Sequence, residues 1–185
     1  MALTESLDLP LGTLCPDFHL PTVDGKTYAR DDARGAAAVA ILFICNHCPY
    51  VQAIEDRLIA LRQDYASRGV QLIGICSNDP TDYADDAPPR LLARWREKAY
   101  GFPYLIDAGQ DVARAFKAVC TPDLYVFDRD LRLAYHGRLD DQWKEPSQVT
   151  RHELRAALDA LLAGQPAPIG QQPSLGCSIK WKKGA

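Results

Sequence analysis

The longest uninterrupted stretch of apolar side chains runs from Ala36 to Ile44, ahead of a cysteine at 45. Such a run, with no polar alternation, marks a strand buried on both faces. After a short break, Val51, Ile54, Leu58, Leu61 and Tyr65 recur at spacings of three and four, and Arg68 and Gly69 follow. That period predicts an amphipathic helix with a basic, glycine-closed end. Val70 to Cys76 (Val-Gln-Leu-Ile-Gly-Ile-Cys) then reads as a second buried strand. Strand, helix and strand in this order predict a right-handed βαβ unit on a parallel sheet.

The flanking pattern is shorter in wavelength. Residues 17–28 read as a hairpin around Asp24-Gly25. The acid- and proline-rich stretch 79–89 reads as an exposed loop, followed by a helix over 90–99, a short strand over 104–106 and a helix over 111–119. Leu124 to Phe127 and Leu131 to Tyr135 flank Asp128-Arg129-Asp130 and predict a second hairpin. Thr150 and Glu153 have capping-box spacing, Val149 and Leu154 a hydrophobic staple, and Leu154, Leu158, Leu161 and Leu162 form an apolar stripe ending at Gly164. The expected architecture is one α/β domain over 1–164 with a Pro- and Gly-punctuated tail over 165–185. No internal repeat breaks it.

Length and composition add limits. A chain of 185 residues, 47% hydrophobic and 24% charged, can bury a full core. A net charge of −3 gives no basic footprint and argues against a dedicated nucleic-acid binder. Residues 1–10 lack the basic start and apolar block of a signal peptide, and no apolar run reaches the length of a membrane span. The expected address is the cytoplasm. In that reducing setting the six cysteines, at 15, 45, 48, 76, 120 and 177, are not expected to form structural bridges. Most should be small buried hydrophobes. The close pair needs another explanation.

Cys45-Asn46-His47-Cys48 falls where the buried strand meets the helix N-terminus. Unpaired N–H groups and the positive end of the helix dipole favour an anion there, and the thiolate is the nucleophilic form of cysteine. Pro49 suits a first turn, where its missing N–H costs nothing. The expectation is that Cys45, near the cap, is the exposed attacker on a disulfide. Cys48, one turn along, then resolves the mixed disulfide, and His47 tunes the thiolate. Zinc is the weaker use of the pair, because two cysteines are half a structural site and His19, His136 and His152 are scattered. No metal and no other cofactor is expected. Thr121-Pro122, just before a strand, is expected to be a cis bond facing the pair, offering the Thr121 backbone to a substrate chain as a β-pairing edge.

Together these residues resemble the thioredoxin superfamily, in its redoxin branch of peroxiredoxin-like and thiol–disulfide oxidoreductase proteins. The resemblance spans about Gly12 to Gly164. Cys15-Pro16-Asp17-Phe18 is similar to the branch's N-terminal segment, Cys45 to Val51 to its redox motif, and Cys120-Thr121-Pro122-Asp123 to its cis-Pro loop. It implies a thioredoxin-like fold: a mixed central sheet flanked by helices, with an N-terminal hairpin extension and a C-terminal tail. It also implies Cys45 as nucleophile, Cys48 as resolver and Pro122 as the cis-Pro.

Two departures matter. Peroxiredoxins place Pro seven and Thr or Ser three residues before the peroxidatic Cys. Here those places hold Ile41 and Cys45, counted from Cys48, or Ala38 and Leu42, counted from Cys45. Disulfide exchange is therefore expected over peroxide reduction. Thioredoxins carry a buried acid six residues before the first Cys, where this chain has Val39. Water, His47 or Asp123 is left to deprotonate Cys48.

Cys120, beside the proline, and Cys177, in a tail with nearby lysines, are auxiliary candidates, with packing the likelier role for each. The leading expectation is a thiol–disulfide oxidoreductase acting on protein or small-molecule disulfides and recycled by a cellular thiol reductant, with no nucleic-acid or membrane partner. The alternatives are an antioxidant thiol peroxidase and a copper-binding protein using Cys45, Cys48 and a distant His such as His136.

Overall fold

The computed structural model describes residues 3–184. In chain order the elements are β1 (Leu3–Glu5), β2 (His19–Pro21), β3 (Thr27–Ala29), β4 (Ala38–Phe43), α1 (Pro49–Tyr65), β5 (Val70–Cys76), α2 (Pro88–Glu97), β6 (Tyr104–Ile106), α3 (Asp111–Phe116), β7 (Cys120–Thr121), β8 (Asp123–Asp128), β9 (Leu133–Gly137), α4 (Glu153–Leu162) and β10 (Leu175–Ser178). The central sheet has the order β6-β5-β4-β8-β9. Strands β4, β5 and β6 run parallel, and β8 and β9 complete the sheet antiparallel. This is the mixed, helix-flanked α/β sheet that the apolar pattern predicts.

Every residue of β4 is buried, as its unbroken apolar run requires. Ala38, Ala40 and Leu42 face one core with Leu58 and Leu61 of α1 and Leu154 and Leu158 of α4. Val39, Ile41 and Phe43 face the other, where Phe116 of α3 makes edge contacts with Phe43 and Tyr125. Burial of α1 brings Glu55 inside too. Arg94 holds it with two hydrogen bonds of 2.7 and 2.8 Å and Tyr100 donates a third, which fastens α2 to α1. Gly69 (φ +80°) turns the chain from α1 into β5.

Several expectations need correction. The capping box at Thr150 does not form: its hydroxyl goes to Asp141 and Glu153 binds Arg138, while His152 stands at the N-cap of α4. The helix expected over 111–119 ends at Phe116, because Lys117 takes a left-handed conformation (φ +56°). The tail docks. Its β10 lies between β1 and β7 in a second sheet of three strands, and Lys180 and Lys182 are tied to Asn78 and Gln110. Among the described residues no helix is long and apolar enough to cross a membrane.

Candidate active site

Both cysteines of the pair sit at the junction of β4 and α1. Pro49 is the first helical residue and Cys48 is the N-cap, so Cys48 rather than Cys45 stands at the helix mouth. The expectation of an exposed Cys45 is not met. Cys45 is 2% and Cys48 0% accessible. Residues 46 and 47 carry the chain over the sulfurs, and both are anchored.

The anchor is Asp86, which the sequence pattern assigns to an exposed loop and the fold buries at 2%. Its Oδ1 accepts the backbone N–H groups of Asn46 (2.8 Å) and His47 (3.1 Å), and its Oδ2 meets His47 Nδ1 (2.5 Å) and Asn78 Nδ2 (2.8 Å). Burial opposes the carboxylate, but the hydrogen bonds from His47 and Asn78 hold its pKa below the ordinary value. The Asn46 side chain adds bonds to the carbonyls of Asp85 and Arg90. A loop of two residues between two cysteines is thus nailed to the segment before α2. Nothing in the local pattern points to Asp86, whose partners Asn46 and His47 lie about forty residues away in sequence.

His47 Nδ1 lies 3.7 Å from Cys45 Sγ, close enough to act on it, but the same nitrogen is committed to Asp86. Its Nε2 is buried without a hydrogen-bond partner. The ring stacks on Tyr83 (4.3 Å between centroids), and Lys180 Nζ lies 5.1 Å from the far ring's centre. This stack closes the His47 side of the pair.

On the other side is Thr121, whose bond to Pro122 is cis. Its hydroxyl is 3.3 Å from Cys45 Sγ, and its carbonyl is 3.1 Å from Cys48 Sγ. The Thr121 edge, expected to be open to a substrate chain, is occupied. β10 pairs with it antiparallel, Cys177 opposite Thr121.

The two thiols ionise as a pair. A hydrogen bond from Cys45 lowers Cys48 to about 5 against burial, helped by the Cys177 thiol and by the Val51 and Cys177 amides. Those amides act as oriented dipoles, for no side-chain cap bond is completed at Cys48. The Thr121 carbonyl opposes an anion there, but one acceptor stands against several donors. Burial, the donated hydrogen bond and the nearby Asp86 carboxylate push Cys45 well up. Cys48 is thus the more acidic of the two thiols, where Cys45 was expected to be.

The remaining candidates separate clearly. Cys120 is fully buried, its pKa raised by burial and then by Asp123, and its Sγ points to the Pro122 carbonyl. Asp123 binds His136 (2.8 Å) and Tyr125 (2.8 Å), and burial raises its pKa. It alternates with Leu124, which shares the core of the cysteines, whereas Tyr125 belongs to the opposite core. Asp123 is thus turned away from the pair and does not serve Cys48 as a base. His136, spent on Asp123 and stacked on Tyr125, does not join Cys45 and Cys48 in a ligand set. Among the described residues the group with metal-ligand spacing is Cys45, His47 and Asp86, within 4.8 Å of one another, and two of the three are already bonded to each other. Cys15 and Cys76 are buried thiols, each pushed up to about 12 by burial.

The sequence model of the AhpC/TSA family matches residues 11–136. The chain belongs to that family. Among solved structures, an uncharacterized conserved protein from Geobacillus kaustophilus is 47% identical, with a TM-score of 0.94 over 100% of this chain and 99% of that one. A hypothetical protein from Sinorhizobium meliloti is 41% identical, with a TM-score of 0.93 over 98% of this chain and 100% of that one. A thiol:disulfide interchange protein of the thioredoxin family from Chlorobium tepidum, 22% identical over 70% of this chain and 87% of that one, shares the fold at a TM-score of 0.58. A comparison with curated proteins gives no match. The fold is thioredoxin-like, shared with the thiol:disulfide interchange protein from Chlorobium tepidum.

Proposed function

We propose that this AhpC/TSA-family protein is a thiol–disulfide oxidoreductase that exchanges disulfides through Cys45 and Cys48. The observation that carries the reading is the placement of two thiols at one helix mouth against one residue, Thr121, whose hydroxyl is 3.3 Å from Cys45 Sγ and whose carbonyl is 3.1 Å from Cys48 Sγ. The Cys48 thiolate takes the Cys45 proton along their hydrogen bond. Cys45 attacks the incoming disulfide with Thr121 Oγ1 beside its charge. One sulfur of the substrate leaves as a thiol and a mixed disulfide remains on Cys45. Cys48, which loses its proton readily, then attacks Cys45 and releases the second thiol. Two electrons pass from the cysteine pair to the substrate, and a cellular thiol reductant restores them.

Low-molecular-weight disulfides are the proposed substrates, because the edge an extended polypeptide would use is held by β10. A groove of about 210 Å³ beside Pro122, lined also by Ile54, Trp143 and Leu175, offers an approach to that side, although neither cysteine lines it. The His47–Tyr83 stack must therefore open, or β10 shift, before a substrate meets Cys45. A reducing compartment such as the cytoplasm is the proposed setting.

Trapping tests the assignment. Cys48→Ser should accumulate adducts of a small disulfide on Cys45, and Cys45→Ser should accumulate none there or on Cys48, read by mass spectrometry of unreduced peptides. The reverse pattern would exchange the two roles.

Peroxide reduction is the second reading, favoured by the anion on Cys48 at the N-cap and by the family. Against it, the position three residues before Cys48 holds a cysteine where peroxiredoxins have a hydroxyl. Stopped-flow oxidation by hydrogen peroxide should run no faster than that of a free thiol; a much faster rate would favour the peroxidase.

A further inference from the structure

Strand β10 occupies the backbone edge beside the cysteine pair as a bound chain would. Cys177 lies directly opposite Thr121, and Ser178 opposite Cys120. Directly opposed residues of an antiparallel pair project to the same face, with Cβ atoms about 4.5–5.5 Å apart. The Thr121 side chain points to Cys45 Sγ, so the Cys177 side chain emerges on the face that holds the redox pair. Cys45, Cys48 and Cys177 accordingly share one buried cluster, and Cys177 is 2% accessible.

The close approach is built in. A Cβ on Gly176 would stand 2.0 Å from the Thr121 carbonyl oxygen, so only glycine lets β10 come this near. The strand is also held at both ends: Ser6 donates its N–H to the Ser174 carbonyl, and Ile179 its N–H to the Val119 carbonyl. Burial pushes the Cys177 thiol up to about 12, and the neighbouring Cys48 adds to the shift. Cys177 therefore faces the redox pair from β10 within one buried cluster.

We propose that β10 is a built-in substrate strand and that Cys177 is a third redox cysteine, exchanging with the Cys45–Cys48 disulfide to form Cys48–Cys177. The inference rests on the disulfide-exchange reading. In the step, the Cys177 sulfur attacks Cys48 Sγ. The Cys48–Cys177 bond forms, the Cys45–Cys48 bond breaks, and its electron pair leaves on Cys45, which takes the proton given up by Cys177. No electron enters or leaves, so no further oxidant is needed. The product ties the N-cap of α1 to β10 and pins the tail onto Thr121. Oxidation thereby closes this edge to polypeptides and returns Cys45 as a free thiol.

The test uses the full-length protein, oxidised with one equivalent of diamide, quenched in acid, alkylated and digested without reduction. Wild type should yield both Cys45–Cys48 and Cys48–Cys177 linkages, in a ratio that does not change with protein concentration. Cys177→Ser should lose the second linkage and keep the first. A wild-type digest holding Cys45–Cys48 without any Cys48–Cys177 overturns the third-cysteine role alone. A digest with no linkage at Cys48 overturns the exchange reading with it.

Discussion

Cys48 shows how position outweighs residue type at this site. Six cysteines share one composition, yet one is lowered to about 5 while Cys15, Cys76 and Cys177 are raised to about 12. The difference is the Cys45 thiol first, then the Cys177 thiol and the Val51 and Cys177 amides, which together outweigh burial. A sign follows for pH. Because the folded value lies below the ordinary 9.0, the thiolate stabilises the reduced fold fully above that value, and the gain is lost as pH falls toward 5. The Tm advantage of reduced wild type over Cys48→Ala should therefore shrink between those limits. A gap that widens on acidification would contradict the assignment of the anion.

Asp86 makes the second prediction at this scale. It receives two backbone N–H groups and two side chains, and its charge disfavours an anion on Cys45. Asp86→Asn should cost about 1.5–3 kcal/mol in denaturant unfolding, the usual worth of a hydrogen bond to a charged group. It should also make Cys45 alkylate faster at neutral pH. Unchanged alkylation would mean that the carboxylate positions the loop without setting the charge.

Among the elements, those with a strong apolar period were legible from sequence. The run in β4, the three-and-four spacing of α1 and the second run in β5 gave their types and the parallel crossover, because burial on fixed faces leaves no other arrangement. The Cys pair at the strand–helix junction and the cis Thr121–Pro122 bond followed from that frame. What failed was set by distant partners. Thr150 found Asp141 instead of its own helix, and the 79–89 loop turned Asp86 inward. Exposure of Cys45 failed for the same reason, since the distant Thr121 packs against its sulfur and the fold buries it.

Two element-scale predictions concern Tyr83 and β10. Tyr83→Ala removes a stack of the kind worth about 0.5–1.5 kcal/mol, so opening at His47 should rise roughly two- to tenfold, read as the rate of Cys45 modification by a bulky thiol reagent. Gly176→Ala forces a Cβ against the Thr121 carbonyl and should cost about 1–3 kcal/mol, with faster amide exchange along β10. A neutral Gly176→Ala would mean that the strand does not hold its close register in solution.

At the scale of the molecule, one sheet serves two purposes. Its central strand ends just before the cysteine pair, and β7, immediately ahead of β8, supplies Thr121, so the sulfurs gather where segments distant in the chain converge. The second sheet, β1-β10-β7, then closes over that convergence with the chain's own end. A buried, self-covered pair is suited to small disulfides that enter during brief local openings, and such openings are drawn from the less stable parts of a fold. The central claim is that Cys45 and Cys48 act as one two-electron couple. Equilibrating the protein across graded ratios of reduced to oxidised dithiothreitol, with acid quenching and peptide mapping, tests it most directly. Cys48 should disappear in a single transition spanning about 30 mV per tenfold change in ratio, and Cys45 should be lost at the same midpoint, any shortfall being matched by loss of Cys177. Cys48 remaining reduced at every ratio, or Cys45 being lost at a different midpoint, would contradict it.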